Sequence, residues 1–169
     1  AFRAEGLRVG FYYSLIDWHH PQFPIDAIHP LRNHPDAPEM NKPRDVRRYA
    51  EYMRNQVTEL LTNFGEISVI WFDFSYPQRE HRGMPGKGRN DWGSEGVMRL
   101  VRELQPDIVV GGRVDLPADG NFPRDLATPE QYTPRVAPLA NGKPGRWEAC
   151  HTFSGSWGYH RDENTWKDA

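Results

Sequence analysis

Asp73 closes the run Ile67-Ser68-Val69-Ile70-Trp71-Phe72-Asp73-Phe74, in which apolar residues follow one another without alternation. Such a run predicts a strand covered on both faces, as in a parallel sheet flanked by helices, and its terminal charge must emerge at the carboxyl rim of the sheet. Taken alone, an Asp at that place does no more than bind nearby backbone amides. Trp71 changes the balance: it stands two residues back, points to the same side and sets an aromatic face beside the carboxylate. An aromatic face next to an acid is how sugar sites are furnished.

Other polar and aromatic groups follow other apolar segments. Each segment is expected to deliver its groups to the same rim: Tyr13 and Asp17 from the first, Arg113 and Asp115 from the third, and Glu148 and His151 from the fourth, with Glu130 on the loop between the last two. Two carboxylates facing one cleft, one ionised and one protonated, meet the requirement of glycoside hydrolysis; any one of them by itself reads as a solvated loop charge. His19-His20 does not read as a metal site, because neighbours on an extended segment point to opposite sides. Gly83, Gly86 and Gly88 lack the Lys-Ser/Thr pair of a phosphate loop.

Four βα units are expected to position these groups. Ala1 to Gly6 reads as a helix end capped by glycine, followed at once by a strand from Leu7 to Ser14. Residues 15–42 show no helical period and form a long ordered loop, too rich in His and aromatic residues for disorder. Pro43 suits a first helical turn, and Val46, Tyr49, Ala50, Met53, Val57, Leu60, Leu61 and Phe64 recur at spacings of three and four before Gly65. The strand to Asp73 comes next, then a Gly-, Arg- and Pro-rich loop to Asn90 and a shorter helix carrying Val97, Leu100, Val101 and Leu104. A third strand runs from Asp107 to Gly112. Thr128-Pro129-Glu130 reads as a short helix start, residues 146–152 as a fourth strand, and Trp166 as the beginning of another helix. Alternating strands and helices with long loops on the carboxyl side predict part of a (β/α)8 TIM-like barrel. A whole barrel runs to about 250 residues, so residues 1–169 are expected to be one segment of a larger catalytic domain, continuing upstream of Ala1 and beyond the last residue.

Composition bounds the partner. A formal net charge of -2 over 169 residues gives no general attraction to nucleic acid or anionic membrane, and no apolar run reaches the roughly 20 residues of a membrane span. Six Trp exceed what a modest core needs and leave some to line a cleft. The single Cys150 excludes an internal disulfide and a multi-cysteine zinc site within this chain.

Four motifs, in order along nearly the whole chain, carry a resemblance. Gly-Phe-Tyr-Tyr-Ser-Leu-Ile-Asp-Trp-His-His-Pro at 10–21, Trp-Phe-Asp at 71–73, Thr-Pro-Glu at 128–130, and Trp-Glu-Ala-Cys with Ser-Trp-Gly-Tyr at 147–159 resemble the α-L-fucosidases of glycoside hydrolase family 29. The resemblance implies a (β/α)8-like barrel and a configuration-retaining, cofactor-free release of fucose from fucosylated oligosaccharides or glycoconjugates. It also implies a secreted, periplasmic or lysosomal setting. It makes Asp73 the nucleophile and Glu130 the acid/base, with Glu148 as the rival for that second role. Tyr13, Trp71 and Arg113 then contact the sugar, and Trp157 faces its methyl group. The family's earlier His-His-Asp-Gly-Phe segment is absent here; His19-His20 belongs to a later motif. Two other readings stay open: a non-catalytic carbohydrate-binding fragment, and another retaining barrel glycosidase.

Overall fold

A computed structural model describes residues 1–116, 124–140 and 142–168. A short 3-10 turn, Phe2–Glu5, is closed by Gly6 at φ 74°. The chain then forms β1 (Gly10–Ser14), α1 (Ala37–Asn41), α2 (Val46–Asn63), β2 (Val69–Asp73) and a small hairpin of β3 (Glu80–His81) with β4 (Met84–Pro85). After it come α3 (Arg89–Trp92), α4 (Ser94–Leu104), β5 (Val109–Val110) and a second hairpin of β6 (Leu139–Ala140) with β7 (Lys143–Pro144).

The central sheet is parallel, in the order β1-β2-β5, with Tyr12 opposite Trp71 and Ser14 opposite Asp73. It is an α/β arrangement, and the sheet itself is three-stranded. Isolated parallel bridges carry the same order onward: Gly111 pairs with Leu126, Ala127 with Trp147 and Glu130 with Cys150.

Alternation along β2 divides its residues between two environments. Ile70 and Phe72 are fully buried against helices α2 and α4, whose apolar stripes supply Tyr49, Met53, Val57 and Leu61, and Val97, Met98 and Val101. Val69, Trp71 and Asp73 point the other way and are half-buried. The expectation of a strand covered equally on both faces is corrected here: one face is core and the other is an open rim. The α2 helix begins after Asp45, not at Pro43, because the Asp45 carboxylate accepts the Arg47 amide at 2.9 Å and acts as the N-cap.

Three further expectations change. The loop after β2 holds a hairpin, turned by Arg82 and Gly83, both at positive φ. Thr128-Pro129-Glu130 is extended, not helical: the amides of Glu148 and Cys150 bond the carbonyls of Ala127 and Pro129, and the Gln131 amide returns to the Cys150 carbonyl. These ladder bonds occupy the groups a helix turn would need. Trp166 starts no helix among the described residues; the neighbouring Lys167 amide bonds the Phe153 carbonyl. Among the described residues no helix is long and apolar enough to cross a membrane.

The segment from Leu15 to Lys42 is ordered by burial, and it contains α1 and a 3-10 turn at Pro30–Asn33 that periodicity did not show. Phe23 stacks on Trp92 and His29. The His29 Nδ1 accepts the Leu31 amide, so its Nε2–H donates to the Trp18 carbonyl at 3.2 Å, and burial lowers the His29 pKa toward the neutral ring. Asp26 is 1% exposed; its Oδ1 accepts the amides of Ile28 and His29, while Oδ2 has no partner among the described residues. Burial raises the Asp26 pKa, opposed by those amide bonds and by Lys87. A carboxyl whose folded pKa lies above its unfolded one stabilises fully below the unfolded value, and that contribution is lost as pH rises through the folded value. Asp26→Asn keeps one acceptor oxygen and is expected to flatten this part of the pH dependence. Thermal melts from about pH 4 to pH 7 check it, and an undiminished decline with pH in the variant contradicts the assignment.

Candidate active site

The end of β2 and the segments beside it meet at Asp73. Its Oδ2 accepts the Tyr12 hydroxyl at 2.6 Å, and its Oδ1 accepts the Phe74 amide at 2.9 Å and Arg113 Nη1 at 3.2 Å. Phe74 bends back to make that bond at φ 72°, a conformation that costs a non-glycine residue about 1 kcal/mol or more. Every oxygen of the carboxylate is thereby oriented.

Arg113 is the hub. Its Nη2 reaches Glu130 Oε2 at 2.5 Å while Nη1 holds Asp73, so a single guanidinium spans both carboxylates. The same group lies 4.8 Å over the Trp71 ring. Burial opposes the charge of Arg113, but the bond to Glu130 and the charges of Glu130 and Asp73 outweigh it and raise its pKa. Trp71 is stacked on Tyr12, with centroids 5.5 Å apart and planes 21° from parallel. The Trp71 Nε1–H donates to Glu148 Oε1, which also accepts the Thr128 hydroxyl at 3.0 Å. Glu148 therefore ties the indole to the segment that carries Glu130. A recess of about 170 Å³ opens beside Asp73, lined also by Phe74, Ser75, Tyr76, Gly112, Arg113 and Asp115.

Asp73, Trp71, Arg113, Glu130 and Glu148 are thus brought together. Tyr13 is not: it faces α2, donates to Gln56 Oε1 at 2.7 Å and packs edge-on to Phe72. Tyr12 occupies the place beside Asp73. Parity carries the signal for it, since Phe11 and Tyr13 are the more apolar alternate set of β1, whereas Gly10, Tyr12 and Ser14 share the side of Trp71 and Asp73. Trp157 is 60% exposed and lines a separate cleft of about 390 Å³ with Phe153, Tyr159 and Trp166. Asp17 accepts the His19 amide, and His151 pairs with Thr133. Asp115 binds Ser75 and the Arg89 amide. His20 stacks on Tyr52. Gly86 and Gly88 serve close packing, since a Cβ there would meet the Tyr76 carbonyl at 2.0 Å and Pro77 Cβ at 2.6 Å, whereas Gly83 turns the hairpin at φ 77°.

The chain is thus an α/β protein in which a parallel sheet and its neighbouring bridges bring paired acids and stacked aromatic rings to one side, an arrangement that suits a sugar. The chain belongs to the alpha-L-fucosidase family, whose family model, described as Alpha-L-fucosidase, matches residues 1–169. It is similar to alpha-L-fucosidase isoenzyme 1 from Paenibacillus thiaminolyticus, with 40% identity and a TM-score of 0.83 over 98% of this chain and 39% of that one. It is also similar to an alpha-L-fucosidase from Vibrio sp. strain EJY3, with 28% identity and a TM-score of 0.69 over 98% of this chain and 26% of that one. The chain therefore spans well under half the length of these relatives.

The Glu148 anchor is testable apart from catalysis. Glu148→Ala leaves the indole N–H and the Thr128 hydroxyl without their acceptor and is expected to destabilise by about 1–3 kcal/mol. Glu148→Gln retains an acceptor oxygen and should lose much less. Equal losses in chemical denaturation would show that the acceptor role is not what matters.

Proposed function

We propose that residues 1–169 form one segment of a (β/α)8-like catalytic barrel that hydrolyses terminal α-L-fucosyl linkages with retention of configuration. The observation that carries this reading is the Arg113 bridge, which gathers Asp73 and Glu130 over the Trp71 ring. Retaining glycosidases keep their two carboxyls about 5–5.5 Å apart, and a guanidinium that touches both suits that spacing. The barrel is supported by the all-parallel order β1-β2-β5 and by the parallel bridges that continue it through residues 126–130 and 147–150. About four βα units fit that order, and the longer relatives leave room for the rest.

In this reading Asp73 attacks the anomeric carbon and Glu130 protonates the departing glycosidic oxygen. Water then releases fucose, with Glu130 as base. The Arg113–Glu130 contact opens when the sugar enters, and the carboxylate, no longer facing the guanidinium, takes up a proton from water that it then gives to the leaving oxygen. Glu148 is a positioning residue, because its oxygen is already committed to Trp71 and Thr128. Trp71 and Arg113 contact the sugar, with Tyr12 in the place expected for Tyr13; Trp157, which lines the separate cleft, is not assigned to the sugar's methyl group. The substrates are fucosylated oligosaccharides or glycoconjugates, and no cofactor takes part.

Asp73→Ala in the intact protein is expected to abolish turnover with the fold retained; near-normal turnover in a folded variant removes the nucleophile assignment. Glu130→Ala should slow substrates with poor leaving groups by about 10²–10⁴-fold, spare activated aryl fucosides, and recover rate with added azide. Glu148→Ala should depress all substrates alike. Leaving-group sensitivity and azide rescue in the Glu148 variant alone would exchange the two roles. The exposed rings of Phe153, Trp157, Tyr159 and Trp166 also favour a second reading, a carbohydrate-binding module without turnover. Release of the aryl alcohol from an aryl α-L-fucoside separates the two.

A further inference from the structure

The two oxygens of Asp73 are not equivalent. Among the described residues Oδ1 accepts two donors, the Phe74 amide and Arg113, whereas Oδ2 accepts only the Tyr12 hydroxyl at 2.6 Å. A carboxylate oxygen has two lone-pair directions, so Oδ2 keeps one free. We propose that Oδ2 is the atom that bonds the sugar, and that the Tyr12 hydroxyl governs its release in the second half of the reaction. This rests on the reading of Asp73 as nucleophile.

In the first half, Oδ2 bonds the anomeric carbon and the bond to the glycosidic oxygen breaks. Its electron pair goes to that oxygen, which takes the Glu130 proton. Oδ2 thereby loses its charge, and the hydrogen bond from Tyr12 weakens. In the second half, a water oxygen bonds the anomeric carbon and its proton passes to Glu130. The carbon–Oδ2 bond breaks and its pair returns to Asp73, where the Tyr12 hydroxyl meets the charge as it forms. Hydrogen bonds to ionised acceptors are the stronger ones, so this contact grows toward the second transition state and shrinks toward the first. Partial burial and the adjacent Asp73 charge push the Tyr12 pKa upward, which keeps the phenol a donor. The Tyr12 ring is held separately by its stack on Trp71, so Phe preserves the platform and removes only the donor.

Tyr12→Phe in the intact protein, assayed with an aryl α-L-fucoside bearing a good leaving group, is the test. Both kcat and KM are expected to fall together by about tenfold or more, with kcat/KM held within about threefold and a pre-steady-state burst of aryl alcohol. A fall in kcat/KM at unchanged KM, without a burst, overturns the proposal. Labelling with a 2-deoxy-2-fluorofucosyl fluoride, followed by peptide mass spectrometry, keeps the two readings apart. No label on Asp73 in the unaltered protein undoes the nucleophile assignment itself. Label on Asp73 with equal rates of reactivation by water in both proteins undoes the role of Tyr12 alone; reactivation slowed about tenfold in the variant supports it.

Discussion

Arg113 holds two anions that would otherwise repel. Asp73 and Glu130 sit on different segments, half-sheltered from water, where like charges interact more strongly than at an open surface. A planar fork with donors at fixed angles can serve both at once, and its face can still lie on an aromatic ring, which a lysine ammonium does less well. The rest of the rim follows from that placement. Trp71 must lie flat beneath the guanidinium, Tyr12 must lie flat against Trp71, and Glu148 must take the indole N–H so that the ring does not turn. The sheet order makes this feasible, because β1, β2 and β5 run in one direction and deliver their ends to one side.

Much of this was legible in the chain. The periodicity of α2 and α4, the apolar run to Asp73 and the side shared by Trp71 and Asp73 are all one-dimensional patterns, and each maps directly onto burial. What was not legible depended on a partner far away in sequence. Thr128-Pro129-Glu130 carries a local helix-start signal, yet pairing with residues 146–150 overrides it, and no local rule reports that pairing. Tyr12 and Tyr13 are adjacent identical residues; the alternation of β1 is a faint local signal between them, and the register of β1 on β2 decides which one meets Asp73. The short hairpin after β2 and the short α1 are likewise too brief for periodicity to register.

The long connection after β1 shows a different kind of order. It has little regular structure, yet Phe23, Ile25, Asp26 and His29 are all buried, and their backbone bonds are closed by side chains such as Asn41, which both donates to and accepts from Ile25. Such a segment is fixed by polar satisfaction and ring packing at individual sites. Through Phe23, which packs on Tyr49 and Trp92, it is joined to the core formed by α2 and α3.

The two faces of β2 are held by different physical demands. Ile70 and Phe72 are constrained by volume, since each must fill space between α2 and α4, whereas Trp71 and Asp73 are constrained by hydrogen-bond direction and charge. Because they alternate along five residues, a drift in helix packing can be absorbed at even positions while the odd ones stay unchanged. Divergence in thermal tolerance and divergence in chemistry can therefore proceed along the same strand almost independently.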